Sequence, residues 1–234
     1  MTQGTEVKPV IIIATPHHRN DILEKNLRER LSEYRVVRLR SPEELILENL
    51  EILHPQLIFF PHWSWLIPEE IHTSFECVVF HMTDLPYGRG GSPLQNLIVR
   101  GQTETKLSAL RCVNRLDAGP VYVKRPLPLA GTAEKILHHA SELMEEMIFE
   151  IVRNRPVPVE QQGEPVIFKR RCPEDSNLAD LSELGQVYDY IRMLDADDYP
   201  KAFLDTEHFH FEFSDATFGK TFVEAKVCIR RKSP

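Results

Sequence analysis

No apolar run approaches the roughly 20 residues that a membrane-spanning helix needs, so no membrane partner is expected. The first eight residues are polar and Val10–Ala14 is too short for the apolar core of a signal peptide, which points to a cytoplasmic protein. Cysteine is sparse: Cys77, Cys112, Cys172 and Cys228 are widely spaced and form no CxxC pair. Cys77 and Cys112 lie in apolar runs and read as buried thiols, so a reducing compartment is favoured over a disulfide framework. Basic charge is outweighed, 28 Lys and Arg against 35 Asp and Glu, and the net charge of −7 argues against nucleic acid as a partner. The first strand is followed by Pro16-His17-His18-Arg19-Asn20 rather than a glycine fingerprint, which disfavours a dinucleotide site. Internal repeats and low-complexity tracts are missing too.

What is present is alternation. Val10–Ala14, Tyr34–Leu39 and Leu57–Phe60 have strand character, and helical spacing fills the intervals, with Ile22, Leu23, Leu27 and Leu31 on one face. Ser41-Pro42-Glu43-Glu44 and Ser92-Pro93-Leu94-Gln95 both read as capping boxes that start helices. The pattern predicts an α/β fold with a mostly parallel sheet covered on both faces.

The stretch with the most chemical content is Cys77-Val-Val-Phe-His81, an apolar strand that ends in an imidazole. The carboxyl end of a parallel strand is where open α/β sheets place their ligands. Leu85-Pro86 and Gly88-Arg-Gly-Gly91 then break the backbone. Lys106–Val113 and Val121–Val123 read as two extended segments that meet near the Asp117-Ala-Gly-Pro120 turn. Trp63 and Trp65 follow the third strand, either as a hydrophobic plug or as the wall of a ring-binding pocket, and their place beside the His81 strand favours the pocket. Ala133–Val152 is the clearest helix, with its apolar residues at 3.6-residue spacing.

A stretch rich in proline and glutamine, Arg153–Pro165, separates two expected domains, residues 1–155 and 156–234. The second opens on the basic cluster Phe168-Lys-Arg-Arg171, continues in a helix over Leu181–Leu194, and ends in a two-stranded ribbon. There Phe209, Phe211 and Phe213 alternate with polar residues, as do Val223, Ala225, Val227 and Ile229, so one ribbon face is expected to be buried. His208 and His210 share a strand face, but no third ligand accompanies them and no metal site is expected. The ribbon and appendage suggest a homodimer.

From Phe59 through Lys124 the sequence resembles the formyltransferases that use N10-formyltetrahydrofolate. The resemblance rests on the histidine strand and its Leu-Pro loop, the Arg-Gly…Ser-Pro-Leu-Gln helix start, and Leu116-Asp-Ala-Gly-Pro120. More narrowly, Phe59-Phe-Pro-His-Trp-Ser-Trp-Leu-Ile-Pro68, Phe168-Lys-Arg-Arg171 and Tyr190-Ile-Arg-Met-Leu-Asp195 look like the sugar N-formyltransferases of the pseudaminic acid type. The resemblance implies a Rossmann-like formyltransferase domain with a small C-terminal helix and β-ribbon appendage. It implies N10-formyltetrahydrofolate as co-substrate and a nucleotide-linked amino sugar, a UDP-4-amino-4,6-dideoxy-N-acetylaltrosamine, as acceptor. His81 matches the family histidine and Asp117 the family aspartate. Trp63, Ser64, Trp65, Leu66 and Ile67 match one folate-contacting loop, and Thr83, Asp84, Leu85 and Pro86 another. Arg89, Lys169, Arg170, Arg171 and Arg192 are expected to hold the sugar nucleotide, since guanidinium groups grip phosphate well, with Tyr199 stacking on a ring.

One position departs from the family pattern. The family asparagine that helps hold the formyl oxygen is Val79 here. Losing one preorganised donor typically costs roughly 10²–10³ in rate, so a substitute is expected, His62 first and Asn114 second. In the expected reaction His81 is the general acid and base, and Asp117 orients it. Competing readings are a methionyl-tRNA formyltransferase, a glycinamide ribonucleotide formyltransferase, and a non-catalytic binding module for folate or nucleotide sugar.

Overall fold

The computed structural model describes residues 8–232. In chain order the elements are β1 (Val10–Ala14), α1 (Asp21–Arg30), β2 (Arg35–Leu39), α2 (Leu47–Leu53), β3 (Pro55–Phe60), α3 (Glu69–Ser74), β4 (Cys77–His81) and β5 (Tyr87–Gly90). They continue with α4 (Pro93–Val99), β6 (Glu104–Arg111), β7 (Val121–Pro128), α5 (Ala133–Asn154), β8 (Val166–Phe168), α6 (Leu184–Arg192), β9 (Ala202–Asp205), β10 (Phe209–Phe218) and β11 (Val223–Arg231).

The main sheet has six strands in the order β2-β1-β3-β4-β6-β7. The first four are parallel, and β6 runs antiparallel to β4. All five residues of β1 are buried, as a strand covered on both faces requires. One face carries Ile12, Ala14, Ile58, Phe60 and Cys77 into a shared apolar cluster with Leu50 of α2 and Ile71 of α3. After β2 the chain crosses back over β1 to form β3, so the order of strands reverses between β1 and β3. Sheets of this kind bind ligands outside the carboxyl ends of the strands, next to such a reversal. Arg38 braces the loop after β1: Nε donates to the carbonyl of Thr15, Nη2 to that of His17, and Nη1 to Asp21 and Glu24.

The chain gathers into two compact units. The first runs through Arg89 and adds Lys106–Arg125 and Ala140–Val166; the second comprises Gly90–Thr105, Pro126–His139 and the chain from Ile167. Among the described residues no helix is long and apolar enough to cross a membrane.

Three local expectations are corrected. Pro42–Glu44 form a single 3-10 turn, α2 starts only at Leu47, and the Glu44 carboxylate accepts from the Arg40 N–H rather than closing a box on Ser41. Ser92 has a left-handed backbone, φ 49°, and makes no cap bond; its Oγ accepts from the Arg171 N–H, while Gln95 donates to the Met193 carbonyl. Both motifs have the right letters, but tertiary partners claim their side chains. The ribbon, finally, is a three-stranded sheet, β11-β10-β9, and its apolar residues are not buried: Phe209, Val227 and Ile229 remain 43, 49 and 56% exposed. Alternation decides which residues share a face but not whether anything covers it.

Candidate active site

β4 is apolar until its last residue, and successive side chains alternate, so Cys77, Val79 and His81 share a face. His81 is buried at the carboxyl end of the strand. Its Nε2 lies 2.7 Å from the carbonyl oxygen of Gly88. A carbonyl can only accept, so Nε2 carries a proton whatever the charge of the ring. The nitrogen left to exchange protons is Nδ1, and it lies 3.6 Å from Oδ2 of Asp117. Both side chains are largely withdrawn from solvent, 8 and 12% exposed.

Several bonds fix the loop after His81. Gly88 adopts φ 79°, a conformation natural to glycine, and its carbonyl also accepts from Thr83 Oγ1 at 3.4 Å. Ser108, directly opposite His81 on β6, donates to the Thr83 carbonyl at 2.7 Å. The imidazole therefore sits in a frame built from two strands and a bonded loop.

Asp117 reaches His81 from the turn between β6 and β7, with a left-handed backbone, φ 51°. Two residues on, a Cβ on Gly119 would lie 1.9 Å from the Arg111 carbonyl oxygen, so only glycine lets the turn close that tightly. The turn is also held from outside. Gln161 Nε2 donates to the carbonyls of Asp117 and Gly119, 2.8 Å each, and its Oε1 accepts from Arg89 Nε at 3.1 Å and Nη2 at 2.7 Å. Arg89 thus departs from the expected role at the sugar nucleotide: it is buried, and these two donors are spent on Gln161.

The expected donors for the formyl oxygen have different surroundings. Asn114 is exposed and its Nδ2 donates to Glu69 at 2.7 Å, which takes it away from the oxyanion role. His62 is half-buried with φ 52°, and its ring stands edge-on to that of His17, centroids 6.1 Å apart.

In the loop expected to contact folate, Trp63 packs between Phe60 and Trp65, at 5.7 and 4.9 Å. Ile67 packs against the apolar cluster, whereas Ser64, Trp65 and Leu66 face solvent. In the second loop Thr83 and Leu85 are buried and Pro86 is half-buried. Asp84 is bracketed by Lys124 at 2.6 Å and Lys106 at 2.9 Å, and Lys124 also donates to the Leu85 carbonyl. Burial pushes the Asp84 carboxyl up, but the two lysines outweigh it and hold its pKa below the usual 3.8. A depressed carboxylate stabilises the fold fully above its unfolded pKa and loses that contribution as pH falls through the folded value. The stability difference between the native chain and Asp84→Asn should therefore be level above about pH 5 and close below about pH 4. Because the pair is partly open to solvent, the difference should stay under about 1 kcal/mol in urea titrations.

In the second unit Lys169 and Arg170 are exposed. Arg171 lies over the Tyr190 ring, 5.2 Å from its centroid, and donates to the Asp175 carbonyl. Tyr199 is half-buried, its N–H bonded to the Ala196 carbonyl. Arg192 corrects the expectation of a phosphate contact: it is buried, with Nε on Asp189 and Nη1 on the carbonyls of Leu129 and Gly131. These bonds tie α6 to the segment before α5 and leave the guanidinium in a structural role.

Gln161, Ser108 and the Lys106–Lys124 pair are the polar groups around the site that sequence reasoning misses. None belongs to a spaced motif, and Gln161 falls in the stretch read as a linker.

The methionyl-tRNA formyltransferase C-terminal domain is the family whose profile matches residues 173–230. A methionyl-tRNA formyltransferase of Listeria monocytogenes is 26% identical over 197 residues, 80% of this chain, and the chain spans only 62% of that relative's length. HypX of Aquifex aeolicus, solved in complex with tetrahydrofolic acid, shares the fold, with a TM-score of 0.71 and 20% identity over 88% of this chain and 37% of its own. A structure described as methionyl-tRNA formyltransferase from Clostridium thermocellum superposes with a TM-score of 0.93 and 44% identity over 96% of this chain. With that solved chain covered over 100% of its length, this protein belongs to the formyltransferase family.

Proposed function

We propose that the chain transfers the formyl group of N10-formyltetrahydrofolate to a primary amine, and that the amine is the α-amino group of methionine esterified to tRNA. The pair His81–Asp117, largely withdrawn from solvent at the carboxyl end of β4 with Nδ1 and Oδ2 3.6 Å apart, carries the chemical part of this reading. The neutral amine attacks the formyl carbon and a tetrahedral intermediate forms. His81 Nδ1 takes the proton the amine must lose, while Nε2–H stays on the Gly88 carbonyl. Asp117 stabilises the resulting imidazolium, as an acid partner does for a catalytic histidine. The same proton passes to N10 as the bond from the formyl carbon to N10 breaks, so the ring ends as it began. Folate lies against Thr83–Pro86 and the Trp63–Ile67 loop in this reading.

The choice of acceptor leans on the 44% identity to the Clostridium thermocellum protein along its whole length. It sets aside the expectation that net charge excludes nucleic acid. Net charge averages over the molecule, whereas phosphate is bound by local clusters, and Lys169 and Arg170 stand exposed in the second unit. The sugar-nucleotide acceptor keeps the support of the motifs around Phe59–Pro68 and Tyr190–Asp195 and is the second reading. Cytosolic residence accords with the four free cysteines.

The deciding experiment offers the purified chain N10-formyltetrahydrofolate with methionyl-tRNA in one vessel and a UDP-linked 4-amino sugar in another, with products read by mass spectrometry. N-formylmethionine on the tRNA is the expected result. Formyl-sugar with unmodified tRNA overturns the acceptor. Folate binding with no product in either vessel overturns the enzyme and leaves a binding module.

A further inference from the structure

We propose that Gln161 is a positioning residue for the reaction: it sets the carboxylate of Asp117 against Nδ1 of His81 by gripping the turn from behind. The inference rests on the formyl-transfer reading for its kinetic consequences, but its geometry stands by itself.

Asp117 occupies a left-handed conformation, φ 51°, which costs a residue other than glycine on the order of 1 kcal/mol and persists only where the surroundings over-determine it. Gln161 supplies that determination. Its single NH2 group spans the carbonyls of residues 117 and 119, at 2.8 Å each, and so fixes the directions of the peptide planes that follow Asp117 and Gly119. The amide orientation is forced by its partners. Turning it over would set Oε1 against two carbonyl oxygens and NH2 against the Arg89 guanidinium, two repulsions in place of four bonds. Arg89, itself only 8% exposed, therefore acts as the anchor that keeps the amide facing the turn. The backbone delivers Gln161 to this place: Val159 and Val121 exchange N–H to carbonyl bonds of 2.8 and 2.9 Å, which lays the chain two residues before Gln161 beside the start of β7.

The direction of the Asp117 side chain follows its own φ and ψ. Without the clamp the turn relaxes toward ordinary backbone angles, and the carboxylate swings off Nδ1. Gln161 touches no reacting atom in this account; it works through Asp117 alone.

Gln161→Met keeps the shape of the side chain and removes both donors and the acceptor. The expected result is a fall in kcat of roughly 10- to 100-fold, the scale of a displacement of about an ångström, with KM for donor and acceptor unmoved. In an Asp117→Asn background the same substitution should cost nothing further, because the group it positions is gone. Gln161→Glu, which retains the acceptor for Arg89 but opposes the two carbonyls, should behave like Gln161→Met and serves if that variant does not fold. The neighbouring, exposed Gln162→Met should match the native chain. A second readout needs no substrate: in the ring 15N spectrum of the free protein, assigned against His81→Asn, Gln161→Met should move the Nδ1 resonance of His81 and leave Nε2, bonded to Gly88, in place. Native kinetics together with an unchanged Nδ1 line overturn the proposal, as does a loss that simply adds to that of Asp117→Asn. Should the native chain fail to formylate methionyl-tRNA, the reading of function falls, while the Nδ1 line still decides the part played by Gln161.

Discussion

His81→Ala should lower turnover by roughly 10²- to 10⁴-fold, the usual contribution of a positioned general acid and base, while KM stays close to native. The expectation follows from a division of labour within one ring. Nε2 is committed to the Gly88 carbonyl, so in the proposed reaction Nδ1 is the nitrogen through which protons pass. Removing the ring deletes the group to which the proposed reaction assigns both the taking and the giving of the proton. The structural cost is small by comparison. One buried hydrogen bond is lost, about 1 kcal/mol, and the Gly88 carbonyl retains Thr83 Oγ1 at 3.4 Å. Initial rates with saturating donor, set beside a thermal unfolding midpoint, check the prediction. A variant that keeps more than roughly a tenth of native turnover would remove His81 from the proton path.

Asp117→Asn should cost about 10²-fold or more in kcat with the fold intact. Asparagine suits this test because it is among the few residues that tolerate left-handed backbone, so the turn at φ 51° keeps its shape and the Gln161 clamp keeps its carbonyls. What disappears is the negative charge facing Nδ1, and with it, in the proposed reaction, the stabilisation of the imidazolium as the amine gives up its proton. Asp117→Ala adds a backbone strain that asparagine avoids, so a larger loss of stability in the alanine variant would report the turn and not the chemistry. Equal kcat in the native chain and Asp117→Asn would mean that the ring needs no acid partner.

The architecture is legible in the sequence where burial alone decides it. Val10–Ala14 is apolar because a strand covered on both faces admits little else, Cys77–Phe80 is apolar as a strand inside the same sheet, and the imidazole that interrupts the second run marks the carboxyl end of β4. The Asp117–Pro120 turn is legible too, because a glycine pressed against a neighbouring carbonyl leaves a fixed letter. The rest depends on partners distant in the chain. Ser92 has the composition of a helix cap but lies in left-handed backbone and bonds to Arg171, 79 residues away. Arg192 belongs to a basic set suited to phosphate but is consumed by carbonyls 61 and 63 residues earlier. Gln161 lies in a stretch whose prolines and glutamines read as a linker, although it meets the turn 44 residues before it. Side-chain bonds that close long loops leave no periodicity to find.

Cys77 and Cys112 face each other across β4 and the end of β6, where the Cys112 N–H bonds to the Cys77 carbonyl. Burial pushes both thiols up, Cys112 to about 11 and Cys77 beyond the range of any working pH, so the buried Cys77 offers no thiolate to an alkylating reagent in the folded state and the half-buried Cys112 little. Cys172 and Cys228 lie open in the other unit. The molecule therefore carries its own chemical stopwatch: a thiol at Cys77 whose labelling waits for the central sheet to part, set against two that lie open.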